Sequence, residues 1–186
     1  RYIVLSDYDK RDFMEKLGID CEVKINPRSF VSEKKCDVKS KRFLMATRFV
    51  YAKGLDLMME SFEEFCKEDS EWELDIIGDG DLFDQIRADA KKRHLEKRVH
   101  FVGYTNEPEK YYLNSSVFLL PSRWDGWPMV IMEAFEFGLP VIAYHMGAMD
   151  LIIDDGKTGF LPEAFDPHKF AQAMLKLAHD EELRAR

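Results

Sequence analysis

Short apolar runs alternate with segments of helical periodicity along most of this chain. The apolar runs predict strands at Tyr2–Leu5, Cys21–Ile25, Phe43–Ala46, Leu74–Ile77, Val99–Val102, Val117–Leu120 and Val141–Ala143. Apolar positions at helical spacing predict helices at Asp7–Leu17, from Gly54 onward, after Gly80 and at Pro167–His179. Because strands that alternate with helices pair in parallel, the sequence predicts an α/β fold: a Rossmann-like, doubly wound parallel sheet with helices on both faces.

Four loops that follow predicted strands carry residues typical of binding sites. They contain Arg48 and Lys53, Gly78-Asp79-Gly80, Gly103-Tyr104, and Asp125-Gly126-Trp127. In an open α/β sheet the ligand lies outside the carboxyl ends of the strands. We therefore expect these four loops to line one crevice. By contrast, Asp154-Asp155-Gly156 predicts an ordinary turn, and Gly159 is expected in the loop that follows it.

The segment 118–141, FLLPSRWDGWPMVIMEAFEFGLPV, has the most distinctive pattern. A strand is expected to end at Pro121, and a helix to begin at Pro128, because proline lacks the N–H that the first helical turn leaves unused. Gly126 between them permits a close approach of the backbone to a ligand. The amides from Gly126 to Met129 should then face an anion or a hydroxyl-rich ligand at the positive end of the helix.

Two carboxylates in this segment, Asp125 in the loop and Glu133 on the second helical turn, have seven residues between them. Glu133 can accept hydrogen bonds from the vicinal hydroxyls of a ribose, or it can be an ordinary surface residue of the helix. Asp125 can bind sugar hydroxyls, cap the helix at its N-terminus, or do both. The spacing alone leaves these alternatives open.

Arg48 and Lys53 flank a short loop before the helix that is predicted from Gly54. A guanidinium and an ammonium group beside a helix N-terminus can hold a diphosphate. Both side chains could instead be solvated surface groups. Their position at a strand end in an acidic protein favours the phosphate-binding interpretation.

The other candidates carry weaker signals. Trp124 and Trp127 flank Asp125-Gly126 and could form a platform for a sugar face, unless one of them covers the core. Tyr104 could stack on a base, or lie at the surface with its hydroxyl in water. Gly78-Asp79-Gly80 is similar to a turn that approaches phosphate, but a glycine pair is more often only a tight turn.

Composition limits the possible functions. The 186 residues include 27 basic and 35 acidic ones, and the net charge of −8 argues against a broad surface for nucleic acid or anionic membranes. No apolar run approaches the roughly 18 residues that a membrane-spanning helix needs. The chain begins at Arg1 and enters a strand at once, which predicts a piece of a longer protein.

Cysteine and histidine positions give no sign of a metal site. Cys21, Cys36 and Cys66 are an odd number without metal-type spacing, which predicts a reduced, cytoplasmic protein. The five histidines also lack ligand spacing, so we expect no protein-bound metal and no cofactor. The sequence contains no Walker loop, no G-x-G-x-x-G fingerprint and no Ser-His-Asp order.

Nearly the whole chain resembles the C-terminal, donor-binding domain of family 4 retaining glycosyltransferases, which have the two-domain GT-B fold. Its motifs occur in the same order as in that family. PSRWDGWPMVIMEAFEFGLPVIA is similar to the family's Glu-x7-Glu signature, its most specific motif, and ATRFVYAKGLDLMMESF resembles its Arg-and-Lys-Gly element. IIGDGD, VHFVGYT and GAMDLIIDDGKTGFL resemble further segments, and LSDYDKRDFMEKLGID with INP resembles the connection from the N-terminal domain. The resemblance implies that residues 1–186 bind the nucleotide-sugar donor, with 1–41 as the lead-in from an acceptor-binding domain.

The resemblance also implies a role for each matching residue. The diphosphate of a nucleotide-sugar would be held by Arg48, Lys53 and Gly54, and the ribose by Glu133. The transferred sugar would contact Asp125, Gly126, Trp127, Pro128 and Met129, with Asp125 as the catalytic residue. The base would lie near Gly103, Tyr104 and Thr105. Members of this family retain the anomeric configuration and generally need no metal.

Two residues depart from the family pattern. The first acid of the signature is Asp125 instead of Glu, so its carboxylate is one methylene shorter, and Asp150 stands where the family usually has Glu. The shorter reach of Asp125 keeps open a catalytically silent nucleotide-sugar-binding or scaffold domain. Another GT-B enzyme, such as a nucleotide-sugar epimerase, is a further alternative.

We therefore predict the donor-binding half of a glycosyltransferase. It would transfer a hexose or an N-acetylhexosamine from a nucleotide-diphosphate sugar, by resemblance a UDP-sugar, to a saccharide or lipid-linked acceptor in cell-surface polysaccharide synthesis. Because the acceptor would bind through the N-terminal domain, the chain alone is expected to be inactive. The protein is predicted to be cytoplasmic, and the longer protein could act at the inner face of the membrane. We expect no nucleic-acid partner.

Overall fold

The computed structural model describes residues 2–24, 26 and 31–185, and its centre is a six-stranded parallel sheet. The strands are β3 (Arg42–Ala46), β4 (Glu73–Ile77), β5 (Val99–Gly103), β6 (Val117–Leu120), β7 (Val141–Ala143) and β8 (Gly159–Phe160). Their order across the sheet is β5-β4-β3-β6-β7-β8. This arrangement confirms the predicted doubly wound α/β fold.

Helices follow the strands and cover both faces of the sheet. They are α2 (Leu55–Phe65), α3 (Phe83–Lys92), α4 (Glu109–Leu113), α5 (Met129–Glu136), α6 (Pro167–Ala178) and α7 (Glu181–Arg184). Side chains of β3 alternate between the two faces. Phe43 and Met45 join the core under α2, α3 and α6, whereas Leu44 and Ala46 join the core under α4 and α5.

The first residues form a small unit of β1 (Tyr2–Val4), α1 (Asp7–Leu17) and β2 (Cys21–Val23). β1 and β2 pair in parallel as a two-stranded sheet of their own. No side chain of α1 is buried. The predicted end of β2 at Ile25 and the INP motif lie partly outside the described residues.

Two predicted helix starts were wrong by one residue. Pro128 has an extended ψ of 110° and precedes α5, which begins at Met129. Gly54 has a left-handed φ of 64° and precedes α2, which begins at Leu55. In both cases the expected first residue has a backbone conformation outside the helical region, so it lies at the cap position instead.

The strand β8 is not among the predicted strands, because the sequence predicts Gly159 in a loop. Gly159 pairs with Val141 of β7, and a Cβ on Gly159 would lie 1.9 Å from the carbonyl oxygen of Val141. The glycine is therefore needed for the close approach of two strands. The five-residue helix α4 was also absent from the predicted elements.

None of the helices in the described residues combines the length and the apolar character that crossing a membrane requires.

Candidate functional site

A cleft of about 410 Å³ lies at the carboxyl ends of β3 and β6. These strands are neighbours in the sheet, although β4 and β5 lie between them in the chain, so the connections diverge at this point. A divergence of this kind is where open α/β sheets bind their ligands. The loop residues that line the cleft include Arg48, Lys53, Asp125, Trp127, Pro128 and Met129. The structure thus brings together the candidates from two of the four predicted loops.

An ion pair joins these two loops. Lys53 Nζ donates to Asp125 Oδ2 at 2.5 Å, between residues that are 72 positions apart in sequence. The side chains are only 19% and 14% exposed, respectively. Each charge is therefore largely withdrawn from water and compensated by the other.

Gly54 permits the contact between the loops. A Cβ at this residue would lie 2.0 Å from the carbonyl oxygen of Pro121, so the β3 loop can lie against the β6 loop only if residue 54 has no side chain. Its φ of 64° is also in the left-handed region, which glycine adopts without strain. Gly54 thus places Lys53 opposite Asp125.

Arg48 lines the same cleft but is exposed. Among the described residues no carboxylate forms an ion pair with it, in contrast to Lys53. The structure therefore provides one cation that is already paired and a second that is available to an anion.

Asp125 does not cap α5. The cap residue Pro128 offers no side-chain hydrogen bond to the helix, and Asp125 is instead bonded to Lys53. Among the described residues no side chain caps the start of α5, and its first residue, Met129, lines the cleft. Amides at a helix N-terminus that have no side-chain cap favour an anionic ligand.

Glu133 lies on α5 and accepts a hydrogen bond at Oε2 from the hydroxyl of Tyr112, at 2.8 Å. Tyr112, on α4, is fully buried. Glu133 is three and four positions after Val130 and Met129, which line the cleft, so it lies on the same face of the helix. The sequence contained no local signal for this pair, because the two residues are 21 positions apart.

The two tryptophans of the loop lie in different surroundings. Trp127 lines the cleft, whereas Trp124 is 61% exposed and its nearest ring partner is Tyr51, with 6.5 Å between the ring centroids. Of the two tryptophans, Trp127 is therefore the one that the structure places in the cleft.

The loops after β4 and β5 contribute no residue to this cleft. Gly78 and Gly80 contact the backbone of the β3 loop, where added Cβ atoms would lie 1.8 Å from Thr47 O and 2.8 Å from Phe49 O. They therefore serve the packing of two loops. The predicted base-proximal residues Gly103, Tyr104 and Thr105 lie at the end of β5, and Tyr104 is 77% exposed.

Asp150 lies in a different cleft, of about 380 Å³, beside His145, Asp154 and Asp155 after β7. Within residues 2–24, 26 and 31–185 no group of three or more His, Cys, Asp or Glu side chains is placed to hold a metal ion.

Arg123 is a residue of the site that sequence reasoning missed. Its guanidinium donates to both oxygens of Asp56, at 2.8 and 2.6 Å, and lies 4.0 Å from the centre of the Tyr51 ring. Its backbone N–H also donates to Ala52 O at 2.8 Å. The hydrogen bonds from Arg123 lower the pKa of Asp56 below its ordinary value. Arg123 thus fastens the β6 loop to the β3 loop beside the Lys53–Asp125 pair.

The sequence family model for glycosyl transferases group 1 matches residues 29–186. The chain belongs to this family. It is 27% identical over 186 residues to an uncharacterized glycosyltransferase of Haemophilus influenzae, a match that covers 98% of this chain and 53% of that protein. It is 30% identical over 148 residues to the amylovoran biosynthesis glycosyltransferase AmsD of Erwinia amylovora, covering 78% of this chain and 41% of that protein. This group 1 chain therefore spans about half the length, or less, of these relatives.

A solved structure of TarM from S. aureus also resembles the group 1 chain. The TarM in that structure is a mutant, in complex with fondaparinux, α-GlcNAc-glycerol and UDP. The TM-score is 0.91 at 26% identity, and the match covers 98% of this chain and 38% of TarM. The similarity confirms the predicted fold and the resemblance to GT-B glycosyltransferases.

Proposed function

We propose that this chain is the donor-binding domain of a retaining glycosyltransferase. The whole protein would transfer a hexose or an N-acetylhexosamine from a UDP-sugar to a saccharide or lipid-linked acceptor in cell-surface polysaccharide synthesis, on the cytoplasmic side. The observation that carries the proposal is the Lys53–Asp125 pair, which lies in a cleft at the divergence of the sheet, beside an uncapped helix N-terminus. Family membership and the UDP in the TarM structure support the choice of donor.

The cleft has the charges that a leaving diphosphate requires. As the bond to the sugar breaks, negative charge grows on the diphosphate and must be met by groups that are already in place. Lys53, Arg48 and the first amides of α5 would supply the positive charge. In this proposal they perform the charge stabilisation without a metal ion.

Asp125 would act on the transferred sugar. Its Oδ2 is held by Lys53, and its other carboxylate oxygen can accept hydrogen bonds from sugar hydroxyls. Because Lys53 would contact the diphosphate and Asp125 the sugar, the pair lies where the bond between them is broken. Gly126, Trp127, Pro128 and Met129 would complete the wall against the sugar.

Calorimetric titration of the chain with UDP, GDP and ADP tests the nucleotide part of the proposal. We expect UDP to bind most tightly, with unchanged affinity in the presence of EDTA. Arg48→Ala should weaken UDP binding by about 1.5–3 kcal/mol, the range for hydrogen bonds to charged groups. Arg87→Ala is the matched control, because Arg87 is an exposed arginine on α3, outside the cleft. Failure of all three nucleotides to bind would overturn the proposal.

The stereochemical part is tested with the full-length protein. Nuclear magnetic resonance of the product formed from an α-configured UDP-sugar should show an α linkage. A β-linked product would contradict the retaining mechanism, and the absence of turnover over a broad range of donors and acceptors would favour a silent binding domain.

A further inference from the structure

The short helix α4 carries one buried tyrosine, Tyr112. Tyr112 is fully buried and stacks with the rings of Phe118 and Phe137, with centroid distances of 5.8 and 5.1 Å and interplanar angles of 11° and 18°. Stacking with two rings fixes the plane of the phenol and the direction of its hydroxyl. The hydroxyl is therefore held by the core of the sheet rather than by a surface loop.

That hydroxyl donates to Glu133 Oε2 at 2.8 Å. Among the described residues, no other side chain forms a hydrogen bond with Glu133, so Oε1 has no protein partner. Glu133 is half-buried, on the face of α5 that carries Val130 and Met129 into the cleft. One oxygen of the carboxylate is thus fixed by Tyr112, and the other has no hydrogen-bond partner within the described part of the chain.

Tyr112 is suited to remain a donor. Burial, and next the negative charge of Glu133, raise the pKa of the phenol far above its ordinary value. The hydroxyl therefore keeps its proton near neutral pH, and the hydrogen bond there runs from Tyr112 to Glu133.

We propose that Tyr112 is a positioning residue that orients Glu133 toward the ribose of the nucleotide and thereby makes the site select ribonucleotides. This assignment rests on the proposed function, because it takes Glu133 as the ribose acceptor. A carboxylate with one oxygen bonded to Tyr112 has a restricted rotation about its terminal bond. The remaining oxygen then meets the ribose hydroxyls without first losing that freedom.

The substitution Tyr112→Phe removes only the hydroxyl and keeps the ring between its two neighbours. We expect its affinity for UDP to fall about 3- to 10-fold, the range for one lost hydrogen bond. Its affinity for 2′,3′-dideoxyuridine diphosphate, which lacks the ribose hydroxyls, should equal that of the unsubstituted chain. A purely structural effect of the substitution would weaken both nucleotides alike.

Tyr111→Phe is the matched control, since it makes the same chemical change one residue away, on a tyrosine whose hydroxyl is not the donor to Glu133. We expect it to leave both affinities unchanged. In a Glu133→Gln background, Tyr112→Phe should cause a smaller loss of UDP affinity than it does alone, because the two residues act together. Thermal unfolding of each variant checks that the fold is retained.

The outcomes separate this assignment from the proposed function. If the unsubstituted chain binds UDP and Tyr112→Phe binds it equally well, the positioning role is wrong while the proposed function stands. Equal weakening of UDP and its dideoxy analogue would also overturn the positioning role. If the unsubstituted chain binds none of UDP, GDP and ADP, the proposed function fails, and the assignment fails with it.

Discussion

Asp125 and Glu133 belong to one segment, but the loop and the helix hold their carboxylates by different means. Asp125 is held by a charged partner, Lys53, on another loop across the cleft. Glu133 is held by a neutral hydroxyl in the core, at 2.8 Å. A phosphate can bind Lys53 in place of Asp125, whereas the buried hydroxyl of Tyr112 stays bonded to Glu133. In the proposed function, the loop would therefore be the part of the site that responds to the ligand, and the helix would be the part that is set beforehand.

The largest expected effect concerns the backbone contact on which the loop depends. Gly54→Ala should lower the free energy of unfolding by about 2–5 kcal/mol, because it combines a left-handed φ with a clash against Pro121 O. Gly18→Ala is the control: φ is 66°, but nothing lies within 4 Å of an added Cβ, so only about 1–2 kcal/mol should be lost. Both are measured by urea unfolding. Equal losses would show that the contact with Pro121 has no role.

The next largest effect concerns Lys53, the cation of the ion pair with Asp125. Lys53→Ala should weaken UDP binding by about 2–3 kcal/mol, because it removes a charged donor to the diphosphate and leaves the largely buried Asp125 carboxylate without its partner. The measurement is calorimetric titration. Lys41→Ala, which breaks an exposed ion pair with Glu71 at 2.8 Å, serves as the control and should have no effect. Unchanged affinity of Lys53→Ala would remove Lys53 from the site.

The smallest effect concerns the bond that fastens the two loops. Arg123 lowers the pKa of Asp56 below its unfolded value of about 3.9, so this ion pair stabilises the fold above about pH 4. The stabilisation is lost as the pH falls through the lower folded pKa. Since Asp56 is 47% exposed, we expect it to be less than about 1 kcal/mol.

Urea unfolding of the unsubstituted chain and of Asp56→Asn between pH 2 and pH 7 measures this contribution. The difference between their free energies of unfolding should be constant above about pH 5 and should shrink as the pH falls toward 2. A difference that does not change with pH would mean that the pair with Arg123 adds nothing.

The sequence predicted the central strands closely because their apolar runs are continuous. The strands at Val117–Leu120 and Val141–Ala143 have the predicted bounds, and the helix at 167 begins at the predicted residue. These elements are buried on both faces or carry a strong helical period, so local pattern determines them. β8 was missed because its glycine serves a contact with another strand, which a local pattern cannot show.

The candidate site was predicted in its parts but not in its pairs. Position at strand ends was enough to select Arg48, Lys53 and Asp125, and all three line one cleft. The pairing of Lys53 with Asp125 joins residues 72 positions apart, and that of Arg123 with Asp56 joins residues 67 apart. Such pairs depend on how the loops approach each other, and that approach exists only once the sheet has formed.

The roles assigned to the two carboxylates are tested most directly by a side-by-side titration of UDP into Asp125→Asn and Glu133→Gln. Neutralising Asp125 removes a negative charge near the diphosphate and frees Lys53, so UDP without a sugar should bind more tightly, by about 0.5–1 kcal/mol. Neutralising Glu133 weakens the acceptor for the ribose, so UDP should bind less tightly, by about 1–2 kcal/mol. Opposite directions in the two variants are the predicted result. A change in the same direction, or no change in either, would contradict the account.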